Sequence, residues 1–314
     1  MSLTLLGDIG GTNSRFAING PAGRPERVLI IENDKVASLE AAITHYLERI
    51  DVQPTAAVLA VAAPLDGRRD IELTNRNWHF RRQDLADRFG FANLRLVNDF
   101  EAIGWALSRI SGDDARVLGN HVPERQGVKA VLGPGTGLGV AALVHAEGRS
   151  FVVSSEGGHI SFGARYEDEI EVFRRLMQNH GVVSAETVVS GPGLVRLAGA
   201  VDPERTYQTP EAVVKAALAG DAGAKATVRL FVRLLGRFAG DVALVFKALG
   251  GVYIAGGVAS RLGELLDEWD FRAAFEGHPP HEHLLKEIPS LLMTRSQPGL
   301  LGCAVLADAE AAAA

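Results

Sequence analysis

Cysteine is almost absent from this sequence, whose 314 residues include only one, Cys303. A single thiol excludes an internal disulfide and a zinc site built from cysteines. Proteins kept in a reducing compartment typically lack disulfides. We therefore expect a cytoplasmic protein.

Long apolar runs and runs of basic residues are also missing. The longest apolar stretch, residues 56–65, is well short of the ~20 residues that a membrane-spanning helix needs. No basic region precedes an apolar run near the N-terminus, so we expect no signal peptide. The formal net charge of −6 disfavours a nucleic-acid surface. Neither a membrane nor a nucleic acid is expected among the partners.

What is present is an ordinary globular composition, with 47% hydrophobic and 22% charged residues. Single cores rarely grow beyond ~250–300 residues, so a chain of this length favours two domains. Predicted strands alternate with predicted helices, as in a mostly parallel sheet covered by helices. The predicted strands are residues 3–6, 16–18, 57–61, 94–97, 130–132, 140–144 and 252–254, and the predicted helices are 38–49, 100–107 and 224–249. The polar stretch 111–114 marks a domain border, which predicts a small α/β domain over 1–110 and a large one over 111–298.

Two glycine-rich turns lie in matching positions between predicted strands. They are Gly7-Asp8-Ile9-Gly10-Gly11-Thr12-Asn13 and Gly133-Pro134-Gly135-Thr136-Gly137-Leu138-Gly139. Each exposes backbone N–H groups beside a threonine hydroxyl, and such turns bind anions. An isolated glycine-rich hairpin is more often only a turn, but the repeated pattern favours phosphate binding at both. Neither turn has the lysine of a Walker A loop or the glycine spacing of a Rossmann turn.

Asp8 lies in the first of these turns, at the end of a predicted strand. A carboxylate beside bound phosphates repels them unless Mg²⁺ lies between, directly or through water. The commoner role of aspartate in loops is a hydrogen bond to its own turn. We favour the metal interpretation because this turn has the features of a phosphate site.

Asn98 and Asp99 follow a predicted strand and precede a predicted helix. Open α/β sheets bind their ligands at the carboxyl ends of strands. A carboxylate there can accept the proton of a hydroxyl that attacks phosphorus, and Asn98 can orient the same substrate. Taken alone, Asp99 is more typical of a helix N-cap than of a catalytic base, but its pairing with two phosphate-binding turns favours catalysis.

Glu156, His159 and Glu186 are polar groups suited to a ligand with many hydroxyls. Each buried unpaired hydroxyl costs ~1–3 kcal/mol, so a sugar site needs several convergent partners. A Glu-x-x-His pair can instead be half of a metal site, although the glycines between Glu156 and His159 disfavour a helical geometry. Glu186 can equally cap a helix. Asn75, in the polar segment 74–78, is a weaker candidate ligand.

His278, His281 and His283 lie close together beside two prolines. Three neighbouring histidines can bind a metal. A proline-rich, charged setting is more typical of a solvated loop, and we predict such a loop.

Taken in order, these motifs resemble those of the bacterial ATP-dependent glucokinase family, which has the actin-like (ribonuclease H-like) ATPase fold. The matching segments are residues 7–13, 74–78, 98–100, 133–139, 156–159, 186, 190–193, 255–257, 271–275 and 298–302. The resemblance implies a two-domain α/β fold with a central cleft, and a C-terminal helix, residues 299–314, that packs back on the small domain. It also implies a homodimer.

The resemblance further implies the reaction of glycolysis in which Mg-ATP phosphorylates the 6-hydroxyl of glucose, with Asp99 as general base. The implied sugar ligands are Asn75, Asn98, Asp99, Thr136, Glu156, His159 and Glu186. The implied ATP ligands are Gly7, Asp8, Ile9, Gly10, Gly11, Thr12, Asn13, Gly133, Gly135, Thr136, Gly137, Ala255, Gly256 and Gly257. Asp8 would lie at the Mg²⁺, directly or through water.

Three alternatives stay open on the sequence. A kinase for another hexose would use the same residues. A non-catalytic sugar-sensing regulator usually has a DNA-binding helix-turn-helix before the first phosphate loop, for which a loop beginning at Gly7 leaves no room. A phosphatase or NTPase of the superfamily would hydrolyse ATP without sugar. A related sugar-kinase group with a cysteine-rich zinc motif is disfavoured by the single cysteine.

Overall fold

The computed structural model describes residues 3–63, 65, 67, 69–74, 76–120, 123, 125–268 and 270–313. The chain divides into two compact units. Unit 1 consists of Met1–Ile110, Phe151–Ser154 and Arg295–Ala314, and unit 2 of Ser111–Ser150 and Ser155–Thr294.

Strands and helices alternate through most of the chain. The strands are β1 (Thr4–Ile9), β2 (Asn13–Asn19), β3 (Pro25–Glu32), β4 (Ala56–Val61), β5 (Asp70–Glu72), β6 (His79–Arg81), β7 (Asn93–Asn98), β8 (Ala115–Val117), β9 (Lys129–Pro134), β10 (Leu138–Ala146), β11 (Arg149–Ser155), β12 (Val252–Ile254) and β13 (Ser290–Met293). The helices are α1 (Leu39–Ile50), α2 (Arg82–Phe89), α3 (Asp99–Ala106), α4 (Glu167–His180), α5 (Ala185–Val188), α6 (Gly191–Val201), α7 (Pro210–Leu218), α8 (Ala222–Phe246), α9 (Gly257–Leu262), α10 (Leu265–Glu268), α11 (Phe271–Glu276), α12 (Glu282–Lys286) and α13 (Pro298–Ala313).

The main sheet of unit 1 has the strand order β3-β2-β1-β4-β7. Strand β1 is antiparallel to β2 and parallel to β4, and β4 is parallel to β7. In this register Ile9, Val61 and Asn98 are aligned across the sheet. The carboxyl ends of β1, β4 and β7 therefore meet at one edge, where open α/β sheets bind ligands.

Both faces of this sheet are covered by helices. Helix α1 contributes Leu39, Ile43 and Tyr46 to one apolar core, and it begins where the Ser38 hydroxyl accepts a hydrogen bond from the Ala41 N–H, the cap that the sequence predicts. On the other face, α13 buries Leu300 and Cys303 in a second core. The apolar side chains of β1 and β4 alternate between the two cores, as the pleat requires.

The sheet of unit 2 has the order β11-β10-β9-β12-β13-β8. Its core is formed largely by α8, which is buried around most of its circumference. This helix ends earlier than the predicted residue 249, because Lys247 adopts a left-handed conformation (φ 47°) and its N–H bonds to Ala243 and Leu244 carbonyls. It also begins two residues early, since the Asp221 carboxylate caps it. Within the described part of the chain, no helix is long and apolar enough to cross a membrane.

Candidate active site

The first glycine-rich segment forms the hairpin between β1 and β2. Gly7, Asp8 and Ile9 belong to strand β1, so the turn itself is confined to Gly10, Gly11 and Thr12. The Gly10 N–H donates to the Asn13 carbonyl at 3.0 Å and closes the turn. Thr12 is exposed at its tip. We call these three residues turn 1.

Asp8 therefore lies in strand β1. The prediction from the sequence that it lies inside the turn was wrong. Asp8 faces Arg15 across the hairpin, and one guanidinium nitrogen lies 3.4 Å from its Oδ2. Within the described residues, its carboxylate accepts no hydrogen bond from its own turn. Burial raises the pKa of the Asp8 carboxyl, and the charge of Arg15 offsets only part of this effect.

Gly299, at the start of α13, lies directly on this carboxylate. A Cβ atom at that position would be 2.8 Å from Cγ of Asp8, a distance that real Cβ atoms do not reach. The helix can therefore approach Asp8 only with glycine at this position.

Asn98 and Asp99 lie where β7 ends and α3 begins. Asn98 is the N-cap, since its Oδ1 accepts from the Phe100 N–H at 2.9 Å, and Asp99 is the first residue of the helix. The capping role considered for Asp99 thus belongs mainly to Asn98, although Oδ1 of Asp99 also accepts from the Phe100 N–H. Asp99 is only partly buried.

The pKa of the Asp99 carboxyl is raised, which favours its neutral form. Burial raises its pKa to about 6, and the negative charge of Asp8 adds to the effect, while the hydrogen bond from Phe100 opposes it. A carboxyl with a pKa near neutrality can accept a proton from a substrate hydroxyl and release it again.

In unit 2, the second glycine-rich segment forms the turn between β9 and β10, in which the Gly135 N–H donates to the Gly137 carbonyl at 2.8 Å. Thr136 is exposed at the tip, like Thr12 in turn 1. We call residues 135–137 turn 2. Gly256, with φ of 89°, lies so close to it that a Cβ atom would be 2.6 Å from the Pro134 carbonyl oxygen. Turn 2 and residues 255–257, both predicted to bind ATP, are thus neighbours.

Glu186 also lies against turn 2. Its Oε2 accepts from the Leu138 N–H at 2.8 Å. The cap of the short helix α5 is the Ser184 hydroxyl, so the capping role considered for Glu186 belongs to Ser184. Among the described residues, its other carboxylate oxygen, Oε1, accepts no hydrogen bond.

Glu156 and His159 lie in the same unit, at the ends of one 3₁₀ turn (Gly157–His159). His159 Nε2 is 3.8 Å from Glu156 Oε2, and the two side chains are 61% and 81% exposed. The expectation that the intervening glycines disfavour a helical geometry was wrong, because both belong to this 3₁₀ turn; a Cβ atom at Gly158 would overlap the Leu138 carbonyl oxygen. Both side chains are exposed, as ligand-binding groups of a protein without ligand can be.

The structure thus brings the predicted residues together in two groups. Asp8, turn 1, Asn98 and Asp99 form one group in unit 1, and turn 2, Glu156, His159, Glu186 and Gly256 form the other in unit 2. Asn75 lies outside the described residues.

The histidine cluster fits the predicted solvated loop only in part, since Pro279, Pro280, His281 and His283 are exposed and His278 is not. His278 is buried, and its ring nitrogens lie 3.0 Å from the Phe275 carbonyl and 3.1 Å from Asp241 Oδ1. His281 and His283 flank the start of helix α12. No group of three or more His, Cys, Asp or Glu suited to a metal occurs among the described residues, so the metal interpretation has no support there.

The donor set at Asp8 fits Mg²⁺ bound together with a nucleotide. Mg²⁺ is usually held by one or two carboxylates, with phosphates and water completing its coordination. The buried, incompletely compensated charge of Asp8, with Asp99 within electrostatic range, is an environment that a divalent cation would stabilise.

Two polar residues near turn 1 were not predicted from the sequence. Arg15 pairs with Asp8, and Asn33 binds the turn from the end of β3. The hairpin register could have identified Arg15, since it lies opposite Asp8. No motif in the sequence around Asn33 indicates that it binds turn 1, because the two are more than 20 residues apart.

Comparisons with known proteins agree on one family. A family model described as Glucokinase matches residues 5–310. A glucokinase from Chelativorans sp. (strain BNC1) is 40% identical over 310 residues, which is 96% of this chain and 90% of that protein.

Solved structures share the fold. A glucokinase from an Antarctic psychrotroph superposes with a TM-score of 0.87 at 33% identity, covering 98% of both chains. A ROK family glucokinase from Streptomyces griseus, solved in complex with glucose and AMPPNP, superposes with a TM-score of 0.63 at 22% identity, covering 97% of this chain and 98% of that one.

Proposed function

Because the chain belongs to the glucokinase family, we propose that it transfers the γ-phosphoryl group of ATP to the 6-hydroxyl of glucose. The products are glucose 6-phosphate and ADP. The observation that carries this proposal is Asp99, a partly buried carboxyl with a pKa of about 6, at the sheet edge where Asp8 and turn 1 also lie.

Asp99 acts as the general base. Its carboxylate accepts the proton of the 6-hydroxyl while that oxygen forms a bond to the γ-phosphorus, and the bond from phosphorus to the β–γ bridging oxygen breaks. The electron pair of that bond leaves with ADP. Asn98, fixed as the cap of α3, orients the sugar through its amide.

Turns 1 and 2 bind the phosphates through backbone N–H groups and the hydroxyls of Thr12 and Thr136. Asp8 holds Mg²⁺, directly or through water. When bound, the cation neutralises charge on the phosphates. Residues 255–257 lie beside adenosine. The S. griseus relative in complex with glucose and AMPPNP supports ATP as the donor.

Glu156, His159 and Glu186 bind the remaining glucose hydroxyls, together with Asn75. The exposure of Glu156 and His159 and the position of Glu186 on α5, beside their 3₁₀ turn, support this role, since a sugar needs several convergent partners. We infer that the protein acts at the entry to glycolysis, in the cytoplasm, because its proposed substrates are glucose and ATP.

We also propose a homodimer, with helix α4 as its interface. Ile170 and Met177 lie seven residues apart on one side of this helix, with Arg174 between them, and are 58% and 53% exposed; a partner would cover such apolar side chains.

The reaction is tested by coupled ADP release with Mg-ATP and a panel of hexoses, with a control that lacks sugar. Strong release with glucose, and none without sugar, is expected. Equal rates with and without sugar would identify an ATPase instead. A faster rate with another hexose would assign the site to that sugar.

A further inference from the structure

Asn33 is fully buried against turn 1, although it lies about 20 residues later in the sequence. Its Nδ2 donates to the Gly10 carbonyl at 2.7 Å and to the Gly11 carbonyl at 3.1 Å. Its backbone N–H donates to the Thr12 carbonyl at 2.9 Å. One residue therefore binds the carbonyl oxygens of all three residues of turn 1.

The orientation of the Asn33 amide follows from its partners. Two carbonyl oxygens can only accept, so they face the NH₂ group, and the Ser14 hydroxyl donates to Oδ1 at 2.7 Å. Every polar atom of this side chain is thus used within unit 1. A buried amide with this many bonds has a single preferred orientation.

The hydrogen bonds from Asn33 to the Gly10 and Gly11 carbonyls also determine where the N–H groups of turn 1 point. The carbonyl of Gly10 and the N–H of Gly11 share one planar trans peptide and point in opposite directions, and the same holds for Gly11 and Thr12. Among the described residues, the N–H groups of Gly11 and Thr12 donate to no other group. Asn33 therefore directs two N–H groups away from itself, as a phosphate-binding turn requires.

Arg76 supports this arrangement from the segment that precedes Trp78. Its guanidinium donates to the carbonyl of Asn33 and, at 3.4 Å, to that of Gly11. It also lies 4.7 Å from the centre of the Trp78 ring. Turn 1 is thus held from two different parts of unit 1.

We propose that Asn33 is a positioning residue for ATP, which aims the N–H groups of Gly11 and Thr12 at phosphate oxygens. This inference rests on the proposed function. Asn33 touches no substrate and acts through turn 1.

Asn33→Asp is the most selective test, because aspartate has the same shape and still accepts from Ser14. It cannot donate to the two carbonyls. A lost buried hydrogen bond weakens binding by roughly tenfold or more, so we expect KM for ATP to rise by about that factor, with KM for glucose nearly unchanged. Calorimetric binding of the ATP analogue AMPPNP with Mg²⁺ should weaken in parallel.

Two further variants separate positioning from general destabilisation. Asn33→Ala removes the same donors without adding a charge, and it is expected to weaken ATP binding as well. Ser290→Ala deletes a buried hydroxyl of unit 2 that bonds the Leu118 carbonyl and Arg272, so it should lower the melting temperature without changing KM for ATP.

A folded Asn33→Asp or Asn33→Ala protein with wild-type affinity for AMPPNP would overturn the inference. A KM for ATP raised equally by Ser290→Ala would do the same. If the wild-type protein binds AMPPNP but releases no ADP with any sugar, the proposed function fails, while the binding comparison still decides the role of Asn33.

Discussion

At the scale of single residues, the site places two carboxyls close together in a partly buried region. Asp8 is compensated only in part by Arg15, and Asp99 carries a pKa of about 6 because of burial and the charge of Asp8. Such pairs cost stability and are maintained at functional sites. The raised pKa of Asp99 suits a base that acts near neutral pH.

The pKa of Asp99 predicts how activity depends on pH. Only the deprotonated carboxylate accepts a proton, so kcat/KM for glucose should fall as the pH drops through about 6. Below that value the loss should approach about tenfold per pH unit. A profile measured from pH 5 to 8, with the coupling enzymes in excess, checks this expectation.

Asp8→Asn provides a second check on the same profile. Removal of the negative charge of Asp8 should shift the apparent pKa to a lower value, whatever the residual rate. An unchanged midpoint in this variant, or a flat wild-type profile down to pH 5, would contradict the assignment of the titration to Asp99.

The sequence indicated Asp99 because its signal is local: a strand, then Asn-Asp, then a helix. Asn33 and Arg15 could not be identified in this way. Their roles depend on the register of a hairpin and on a return of the chain from β3, and neither is visible in a short window of sequence.

At the scale of secondary-structure elements, the contact between α13 and α3 brings the C-terminal segment to the site. Gly302 on α13 lies so close to Ala102 on α3 that a Cβ atom would overlap the Ala102 carbonyl oxygen. The same helix places Gly299 on Asp8 and directs Cys303 Sγ to the Gly7 carbonyl at 3.3 Å. A shift of α13 would therefore also change the surroundings of the Asp8 carboxylate.

Gly302→Ala is predicted to destabilise the protein by about 1–3 kcal/mol, because the helices must separate to accept the methyl group. Thermal unfolding should show a lower midpoint. The matched control is Gly199→Ala in α6, where a Cβ atom would meet nothing within 4 Å. Alanine in that helix should be neutral or slightly stabilising, and equal losses in both variants would refute the steric explanation.

Several strands and helices were predicted from the pattern of apolar residues alone. The strands at β1, β4, β7, β9, β10 and β12 and the helices α1, α3 and α8 lie at or near their predicted positions. Short strands such as β5 and β6, and the helices α9–α12, were not predicted. They are only three to six residues long, and such elements are stabilised by tertiary contacts that a local pattern does not contain.

At the scale of the whole molecule, the predicted family and the actin-like α/β fold class are confirmed by relatives and superpositions that span nearly the entire chain. The ordered set of motifs made this prediction possible, although each motif alone is weak. The proposed dimer interface had no such motif, since an exposed helix face becomes evident only when burial is known.

The α4 interface gives a prediction about assembly. The double substitution Ile170→Glu and Met177→Glu should shift the protein from dimer to monomer in light scattering coupled to size exclusion, because it replaces both exposed apolar side chains of the proposed interface with charges. Val245→Glu, at a residue of α8 that is 75% exposed, should leave the dimer intact. A wild-type monomer, or a dimer that survives the double substitution, would contradict the interface.

The most direct measurement is the rate of glucose 6-phosphate formation in a single turnover by wild type and Asp99→Asn, after both have bound Mg-ATP and glucose. Loss of a general base predicts a rate lower by about 10²–10⁴. Glucose should still bind, and the melting temperature at pH 8 should not fall, because the amide removes a repulsion with Asp8. Equal rates in the two proteins would contradict the role of Asp99 and the account built on it.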